Sequence, residues 1–385
     1  MASPRNFWQR ILMSTRWSGW KISSRHRLDP ELIRGSLNYR NSALSYRNLR
    51  VLLWTVVILL SLSGCSWVKS LISGGKEPGK TKIAQEVDQT ILPAGTLRKI
   101  TPYTGYLIDA YSMIDKHMKA EDLEIIPRLM QRYGVRKTIL GRKHQYTQQR
   151  LVQLSAQYPR QIIPALKVTN RYYKNDNPLY ADALEKSLNE YKYSALGDLQ
   201  VYRPPGANDL EHLVVDLDDE RVGKVVQIAK RMQWPVLFQL QFSRMGEEEF
   251  EWYMETLDEL AQDNREAAFI FLHMGTLKID QIKRLIKKHP NIYFELSRTN
   301  PEYEDDKGVY KMIVNYIEVD PKWKVLLNQY SDRFLVGYHN FGLIDWHEKP
   351  YQTQTRWIRY ILGNLEPVAA DRIAHGNAER LWRLQ

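Results

Sequence analysis

Histidine, carboxylate and hydroxyl side chains follow several short apolar runs in the second half of the chain. His273 ends the run FIFLH, and His339 comes directly after the run FLVGY. Glu295 and Ser297 lie at the end of the run NIYFELS. Imidazole and carboxylate groups bind metals and accept protons near neutral pH. Brought together, these residues would support metal binding or general acid–base chemistry, whereas each histidine alone could be a hydrogen-bonded core residue.

These runs belong to a regular alternation of β-rich segments and amphipathic helical segments that begins near residue 103. The candidate strands cover residues 106–111, 135–140, 161–168, 194–202, 235–241, 268–273, 291–297 and 333–338. The candidate helices cover residues 123–133, 222–232, 247–262, 279–288 and 309–317. Parallel strands joined eight times by crossover helices predict an α/β fold, the (β/α)₈ TIM barrel. A doubly wound open sheet is the alternative, but its glycine-rich phosphate turn is absent from the sequence.

Chemistry in such barrels lies at the carboxyl ends of the strands. The candidate site residues are therefore those at the predicted strand ends: Tyr111, Met113, Arg142, Lys167, Asp198, Gln239, Gln241, His273, Glu295, Ser297 and His339. Asp198 could be a general base or a carboxylate that caps neighbouring backbone groups. Asp109, Gly337 and Asn377 are expected to be structural.

Six motifs follow one another along the predicted barrel. They are LIDAYSMID (107–115), PVLFQ (235–239), FIFLHMG (269–275), NIYFELS (291–297), DRFLVGYHNF (332–341) and RIAHGNAERLW (372–382). In this order they resemble the amidohydrolase-related family. Its first strand carries Asp-x-His-x-His, its fifth Pro-Val-x-x-His, its eighth a glycine and an aspartate, and its closing helix Asn-Ala-x-Arg-Leu. The resemblance covers about residues 105–385 and implies a metal-dependent hydrolase barrel.

The resemblance assigns five metal-ligand positions, and their residue types have largely changed. The five positions are Tyr111, Met113, Gln239, His273 and His339. Only His273 keeps the family's residue type, and His339 replaces the aspartate that serves the family as the base for metal-bound water. Tyrosine and amide side chains are weak Zn²⁺ ligands, and a thioether suits Cu(I). Because a catalytic Zn²⁺ needs about three nitrogen or oxygen ligands and an open position, we expect no resident metal and no other cofactor.

The first functional hypothesis is a non-catalytic barrel that binds a small organic ligand or another protein of the cell envelope. Tyr111, Met113 and Gln239 would then give the barrel mouth uncharged side chains, which can hold an organic ligand. The neighbouring pocket residues would be Arg142, Lys167, Gln241, Glu295 and Ser297.

The second hypothesis is an active hydrolase of an ester, lactone or amide. It would use a divalent metal such as Zn²⁺ in a site rebuilt around His273 and His339. Asp198, His117 or His144 could contribute from neighbouring loops.

The positive charge of the chain is concentrated before this barrel. The formal net charge is +11, but residues 1–50 carry ten Lys or Arg against two Asp or Glu, which leaves +3 for residues 51–385. A nearly balanced folded part argues against nucleic-acid binding. We expect residues 1–50 to be a disordered basic leader, either a genuine tail or sequence upstream of a translation start near residues 44–49.

A short apolar run ends at Cys65, which is the only cysteine in the chain. Residues 51–64 (VLLWTVVILLSLSG) contain no charge, and such a run suits a signal peptide better than a membrane span. The sequence LSGC resembles a bacterial lipobox, so residues 51–65 are predicted to be a lipoprotein signal in which Cys65 carries the lipid. We expect a membrane partner through this lipid and an outer-membrane lipoprotein that faces the periplasm. Residues 66–101 have the composition of a tether, and residues 102–385 form the predicted barrel.

Overall fold

The strands of the barrel are short, and those at its centre are apolar on both faces because helices cover the outside and side chains fill the inside. The computed structural model describes residues 101–384, except 144–146, 176, 205–211, 304–308 and 316–317. The predicted leader (1–50), the lipoprotein signal with Cys65 (51–65), nearly all of the tether (66–101) and His144 lie outside the described residues. Among the helices of the described part, none has both the length and the hydropathy to span a bilayer.

The strands form a (β/α)₈ barrel. The strands are β1 (Leu107–Ile114), β2 (Val135–Arg142), β3 (Ile162–Leu166), β4 (Ala195–Leu196), β5 (Asp198–Gln200), β6 (Tyr202–Arg203), β7 (Leu213–Val214), β8 (Val236–Gln239), β9 (Phe269–Phe271), β10 (Ile292–Glu295) and β11 (Phe334–Leu335). β4 and β5 are two parts of the predicted fourth strand, and β6 and β7 form a small antiparallel hairpin. One sheet has the order β1-β2-β3-β4 and the other β11-β10-β9-β8-β5, both parallel.

Backbone hydrogen bonds join the two sheets into a closed barrel. Gly197 lies between β4 and β5, and its N–H donates to the Leu166 carbonyl at 2.6 Å. A Cβ at Gly197 would lie 2.9 Å from that same oxygen, so the change of partner strand requires glycine. On the other side the Ala110 N–H donates to the Val336 carbonyl at 2.9 Å, which joins β1 to the segment after β11.

Helices follow most of the strands. They are α1 (Ile125–Tyr133), α2 (Gln148–Gln157), α3 (Arg171–Lys174), α4 (Tyr180–Glu190), α5 (Glu220–Met232), α6 (Glu247–Asp263), α7 (Ile279–Lys288), α8 (Pro321–Gln329), α9 (Glu348–Gly363), α10 (Pro367–Asp371) and α11 (Asn377–Trp382). The predicted stop of α1 at Gly134 agrees with the left-handed φ of 70° at that residue.

The predicted helix over residues 309–317 is wrong for the part that is described, residues 309–315. Instead, the Ile313 N–H donates to the Thr299 carbonyl, and the Ile313 carbonyl accepts the Asp320 N–H. Val314 forms an antiparallel bridge with Val319. The apolar side chains of Ile313 and Val314 are fully buried, so their spacing reflects packing against the barrel. The helix begins later, at Pro321, where Asp320 accepts N–H bonds as its N-cap.

Polar side chains that were expected to be structural tie the barrel together. The Asp109 carboxylate accepts hydrogen bonds from Ser112 Oγ at 2.6 Å, from Thr138 Oγ1 at 2.7 Å and from the Tyr338 N–H at 2.8 Å. These contacts link β1 to β2 and to the segment after β11. The Asn377 amide donates to two carbonyl oxygens ahead of and within β11, at 2.7 and 2.8 Å. Both residues therefore hold the first and last strands in place beneath the mouth.

Candidate site at the carboxyl-terminal rim of the barrel

Three buried side chains meet at the ends of β9, β10 and β11. His273, Glu295 and His339 each offer one nitrogen or oxygen atom, and these three atoms lie within 4.8 Å of one another. The side chains are 3 %, 0 % and 3 % exposed, and the two imidazole centroids are 4.3 Å apart. The structure thus brings together two predicted ligand positions, His273 and His339, with Glu295, which was predicted only to line the pocket.

Left-handed backbone conformations aim the two histidines into this site. His273, Met274 and Thr276 have φ angles of 54°, 55° and 59°, and His339 has a φ of 49°. Such conformations cost a non-glycine residue about 1 kcal/mol each, so the surrounding contacts must enforce them. One such contact is the His273 N–H, which donates to Glu295 Oε2 at 3.0 Å.

Gly337 makes room for the carboxylate at the centre of the site. A Cβ at this position would lie 1.7 Å from Glu295 Oε1, so no side chain larger than hydrogen fits there. Glu295 Oε1 accepts the Ser297 N–H at 2.8 Å. The glycine in the run FLVGY is therefore what lets Glu295 reach between β10 and β11.

A short hydrogen-bonded chain connects Glu295 with His273. Ser297 Oγ donates to Glu295 Oε2 at 2.6 Å and lies 2.7 Å from His273 Nδ1. Because the single hydroxyl proton goes to the carboxylate, the serine oxygen accepts a hydrogen bond from the Nδ1–H of His273. The network therefore assigns the Nδ1–H tautomer to His273 and leaves its Nε2 with a free lone pair.

Burial sets the charge state of all three groups. Burial, the neighbouring His339 and the charge of Arg298 hold the pKa of His273 well below its usual range. Burial and Arg298 lower the pKa of His339 in the same way, so both imidazoles are neutral at pH 7. Burial raises the pKa of Glu295 to about 7, although the hydrogen bonds from Ser297 and His273 act to lower that pKa.

The neighbouring side of the mouth, at β1, is occupied by a different pair, and the Tyr111 ring packs edge-on against His339 at 6.0 Å. The Tyr111 hydroxyl donates to Asp198 Oδ1 at 2.6 Å, and the Asp198 N–H donates to the same phenol oxygen at 3.1 Å. Gly141 and Gly197 leave space for this hydroxyl, since a Cβ on either would lie 2.5 or 3.1 Å from it. Burial and then the Asp198 charge raise the pKa of Tyr111 well above its usual range. The phenol is therefore a neutral donor, and Asp198 acts as its acceptor.

The two remaining ligand positions do not complete a metal site. Met113 is 7 % exposed and belongs to the apolar cluster inside the barrel. Gln239 is half-buried at the last position of β8. The family's ligand positions at β1 and β8 therefore hold no imidazole, and the group that could hold a cation in the described part of the chain is His273, Glu295 and His339. The phenol of Tyr111 is already engaged, Met113 offers sulfur, and Glu295 accepts three hydrogen bonds besides any cation.

The other predicted pocket residues lie around the rim. Arg142 ends β2, is buried and donates to Gln148 Oε1 at 2.6 Å. Lys167 follows β3 and is half-buried, and Gln241 is half-buried just beyond β8. His117 is exposed on the loop after β1 and does not join the buried histidines.

Sequence reasoning missed Arg298, the cation nearest to the histidines. Its guanidinium carbon lies 4.6 Å from the ring centroid of Phe341, 5.1 Å from that of Tyr303 and 5.4 Å from that of Tyr310. The rings that surround Arg298 also surround the imidazoles: Tyr310 packs edge-on against His273 at 5.3 Å and Phe341 against His339 at 6.0 Å. Only its position three residues after Glu295 could have pointed to it.

Comparison with known proteins agrees with the barrel. Residues 147–384 match the amidohydrolase family, and no curated protein matches the chain. A TatD homologue from Escherichia coli K12 is similar in structure, with 14% identity, a TM-score of 0.50 and coverage of 72% of this chain and 98% of that one. An uncharacterised TIM-barrel protein from Bordetella bronchiseptica has 15% identity and a TM-score of 0.49 over 72% of this chain and 99% of its own. 4-Oxalomesaconate hydratase from Rhodopseudomonas palustris has 14% identity and a TM-score of 0.48 over 72% and 95%.

Proposed function

The chain belongs to the amidohydrolase family, and from this premise we propose that it is a barrel that binds a small organic ligand at its mouth without the family's metal cluster. The observation that carries the proposal is the Tyr111–Asp198 pair. It fills the first-strand part of the mouth, where the resemblance assigns two histidine ligands, and the phenol hydroxyl both donates to Asp198 and accepts from it. Such a pair puts a hydrogen-bonded phenol where the family has an imidazole ligand.

The electrostatics of the remaining part support the same proposal. Burial first, and then the charge of Arg298, lowers the pKa of both His273 and His339. A divalent cation between the imidazoles would be repelled by this guanidinium at short range in a buried site. Neutral imidazoles and a guanidinium together suit an organic ligand that offers acceptor atoms.

Metal content tests this proposal directly. The full chain, purified in detergent, is equilibrated with Zn²⁺ and passed through a desalting column. We expect well below one Zn²⁺ per chain, equal to the amount in a variant with His273→Ala and His339→Ala. His347→Ala, on an exposed residue, is the matched control for non-specific binding. One Zn²⁺ per chain that disappears in the double variant would overturn the proposal.

A second candidate function is hydrolysis with one divalent cation on His273, Glu295 and His339. The specific observation in its favour is that the three ligand atoms lie within 4.8 Å of one another, a set of two imidazoles and one carboxylate. These residues would hold the ion, which would polarise a water or a carbonyl group when bound. Stoichiometric Zn²⁺ together with esterase, lactonase or amidase activity that both histidine variants abolish would establish this function.

We further propose that the barrel is attached to the outer membrane of a bacterial envelope and faces the periplasm. The support is the uncharged run at residues 51–64 followed by the only cysteine. Replacement of Cys65 by serine is expected to move the full chain from the membrane fraction to the soluble fraction and to abolish labelling with radioactive palmitate. Cys65→Ser protein that remains in the membrane and takes up label would contradict the lipid anchor.

A further inference from the structure

We infer that the barrel mouth recognises the carboxylate group of a small organic acid, with Arg298 and His339 as the recognising pair. This inference rests on the proposed function, because it requires a mouth that holds no divalent cation. It adds the chemical class of the ligand and the side chains that would select it.

Arg298 is a half-buried cation that pairs with no carboxylate of the described residues. None of the ion pairs found within the described part of the chain includes Arg298. Its one hydrogen bond to a side chain, from Nη1 to the Tyr310 hydroxyl, is 3.5 Å long. Its Nε is buried and, among the described residues, has no acceptor. A guanidinium in this state can donate hydrogen bonds from its remaining N–H groups to an anion that binds beside it.

Two carboxylates of the described residues, Asp345 and Glu295, accept hydrogen bonds from other groups. Asp345 Oδ2 accepts the N–H groups of Phe341 and Gly342 at 3.1 and 2.8 Å. Both oxygens of Glu295 accept hydrogen bonds from Ser297 or His273. Neither of them forms an ion pair with Arg298.

Within the described residues, two further buried polar side chains, on the segment that follows β11, have polar atoms without hydrogen-bond partners. His339 is 3 % exposed and Asn340 is 1 % exposed. Across the residues that the structure describes, His339 Nδ1 and the Asn340 side-chain nitrogen and oxygen make no hydrogen bond. Buried polar atoms are nearly always satisfied, so unsatisfied ones that cluster at a barrel mouth point to a bound polar group.

The aromatic rings place these groups side by side. Phe341 contacts both groups. Its ring centroid lies 4.6 Å from the guanidinium carbon of Arg298 and 6.0 Å from the imidazole centroid of His339. Tyr310 contacts Arg298 and His273 in the same way, at 5.4 and 5.3 Å. The guanidinium is thereby fixed next to the imidazole pair, with apolar ring surface around both.

This set of donors fits a carboxylate better than it fits a cation or a neutral ligand. A guanidinium and a carboxylate form two parallel N–H···O bonds, and such charged bonds are roughly twice as strong as neutral ones. A neutral imidazole, that of His339, adds one more N–H donor. The rings of Tyr310 and Phe341 supply apolar contact for the rest of the acid.

Benzoate and benzamide, which have nearly the same shape and differ in charge, test the inference. Binding to the full chain in detergent is measured by isothermal titration calorimetry and by the shift of the thermal unfolding midpoint. We expect benzoate to bind and to raise the midpoint, and benzamide to do neither. Arg298→Gln is expected to weaken benzoate binding by about 10-fold or more, the range for loss of a charged hydrogen bond.

Two variants control for structural damage. Arg298→Lys keeps the charge without the planar fork, so it should retain part of the affinity. Arg171→Gln removes an arginine that stacks on Tyr172 at 4.7 Å on α3, and it should bind benzoate like the wild type. Equal binding of benzamide, unchanged binding by Arg298→Gln, or no benzoate binding by the wild type would each overturn the inference. None of these results affects the Zn²⁺ measurement, which alone decides the proposed function.

Discussion

The two sides of the barrel mouth differ in how their polar side chains are hydrogen-bonded and in their backbone conformation. On the β1 side, Tyr111 and Asp198 satisfy each other, and two glycines leave space for the phenol. On the β9–β11 side, His273 and His339 have left-handed φ angles, and one nitrogen of His339 has no partner within the described residues. On the β1 side the phenol hydroxyl is bonded to Asp198, whereas the β9–β11 side has strained backbone and an unbonded imidazole nitrogen among the described residues.

This difference indicates where the remaining chemistry lies. Strained backbone and unsatisfied polar atoms cost stability, and they persist only where the rest of the structure enforces them. A side with only a structural role could have hydrogen-bonded polar side chains, as the β1 side does. We therefore place ligand recognition on the β9–β11 side and a purely structural role on the β1 side.

The largest expected effect comes from placing a side chain in the space that Gly337 leaves for Glu295. Gly337→Ala would put a methyl carbon 1.7 Å from Glu295 Oε1, within a fully buried network. We expect a loss of more than about 4 kcal/mol in the free energy of unfolding, or no folded protein at all. Gly223→Ala is the matched control, because nothing lies within 4 Å of a Cβ at this site in α5. It should stabilise the helix by about 0.8 kcal/mol. Similar denaturation curves for the two variants would contradict the tight fit at Glu295.

The next effect is a dependence of stability on pH that originates on the same side. The pKa of Glu295 is raised to about 7 in the folded chain, from a normal value of 4.5. The folded state therefore keeps the proton while the unfolded state loses it, and stability falls as pH rises from about 4.5 through about 7. The loss is about 3 kcal/mol, at 1.4 kcal/mol per pKa unit. Glu295→Gln should lack this component.

Urea unfolding of the wild type and of Glu295→Gln at pH 4 and pH 8 measures this component as a difference. Groups that titrate in both proteins and do not interact with Glu295 cancel in the comparison, whereas Asp109, whose charge raises the pKa of Glu295, does not. Glu255→Gln, on an exposed face of α6, should keep the wild-type dependence. Equal pH dependence in wild type and Glu295→Gln would show that Glu295 is not the group responsible.

A smaller effect is expected on the β1 side. Tyr111→Phe removes the hydroxyl that bonds twice to Asp198 and leaves a carboxylate without its donor. We expect a loss of about 2 kcal/mol, the usual cost of a buried group left unpaired. Tyr330→Phe, on a half-buried ring at the end of α8, should change stability by less than about 0.5 kcal/mol. An unchanged melting curve for Tyr111→Phe would remove the claim that this side is held by the pair.

The barrel could be predicted from the sequence because its signals are local. Short β-rich runs alternate with amphipathic helices, and Gly134 ends α1 as its position suggested. The predicted helix at 309–317 shows the limit of such signals. Its apolar spacing arises from Ile313 and Val314, which pack against the barrel in an extended segment. Tertiary contacts decided that conformation, and a local pattern does not contain them.

The candidate site could be predicted only in part, for a geometric reason. Strand ends identified His273, Glu295 and His339 as neighbours on one rim. The left-handed φ angles that turn both imidazoles inward occur at non-glycine residues, so the sequence does not indicate them. Arg298 was missed because its partners Tyr310 and Phe341 lie 12 and 43 positions further along the sequence, and only the folded chain brings them together.

The smallest of the four effects tests the link that orders the β9–β11 side. Ser297→Ala removes the hydroxyl that donates to Glu295 at 2.6 Å and lies 2.7 Å from His273 Nδ1. We expect a loss of about 1 kcal/mol, because the backbone N–H bonds of His273 and Ser297 still hold the carboxylate. The ¹⁵N shifts of His273 should also change from one Nδ1–H tautomer to a mixture of the two. Ser187→Ala, which loses only a bond to the Ala183 carbonyl within α4, is the control for deletion of a serine hydroxyl. If Ser297→Ala kept a single His273 tautomer, the strained backbone alone would fix the imidazole, and the two sides of the mouth would differ in conformation but not in hydrogen bonding.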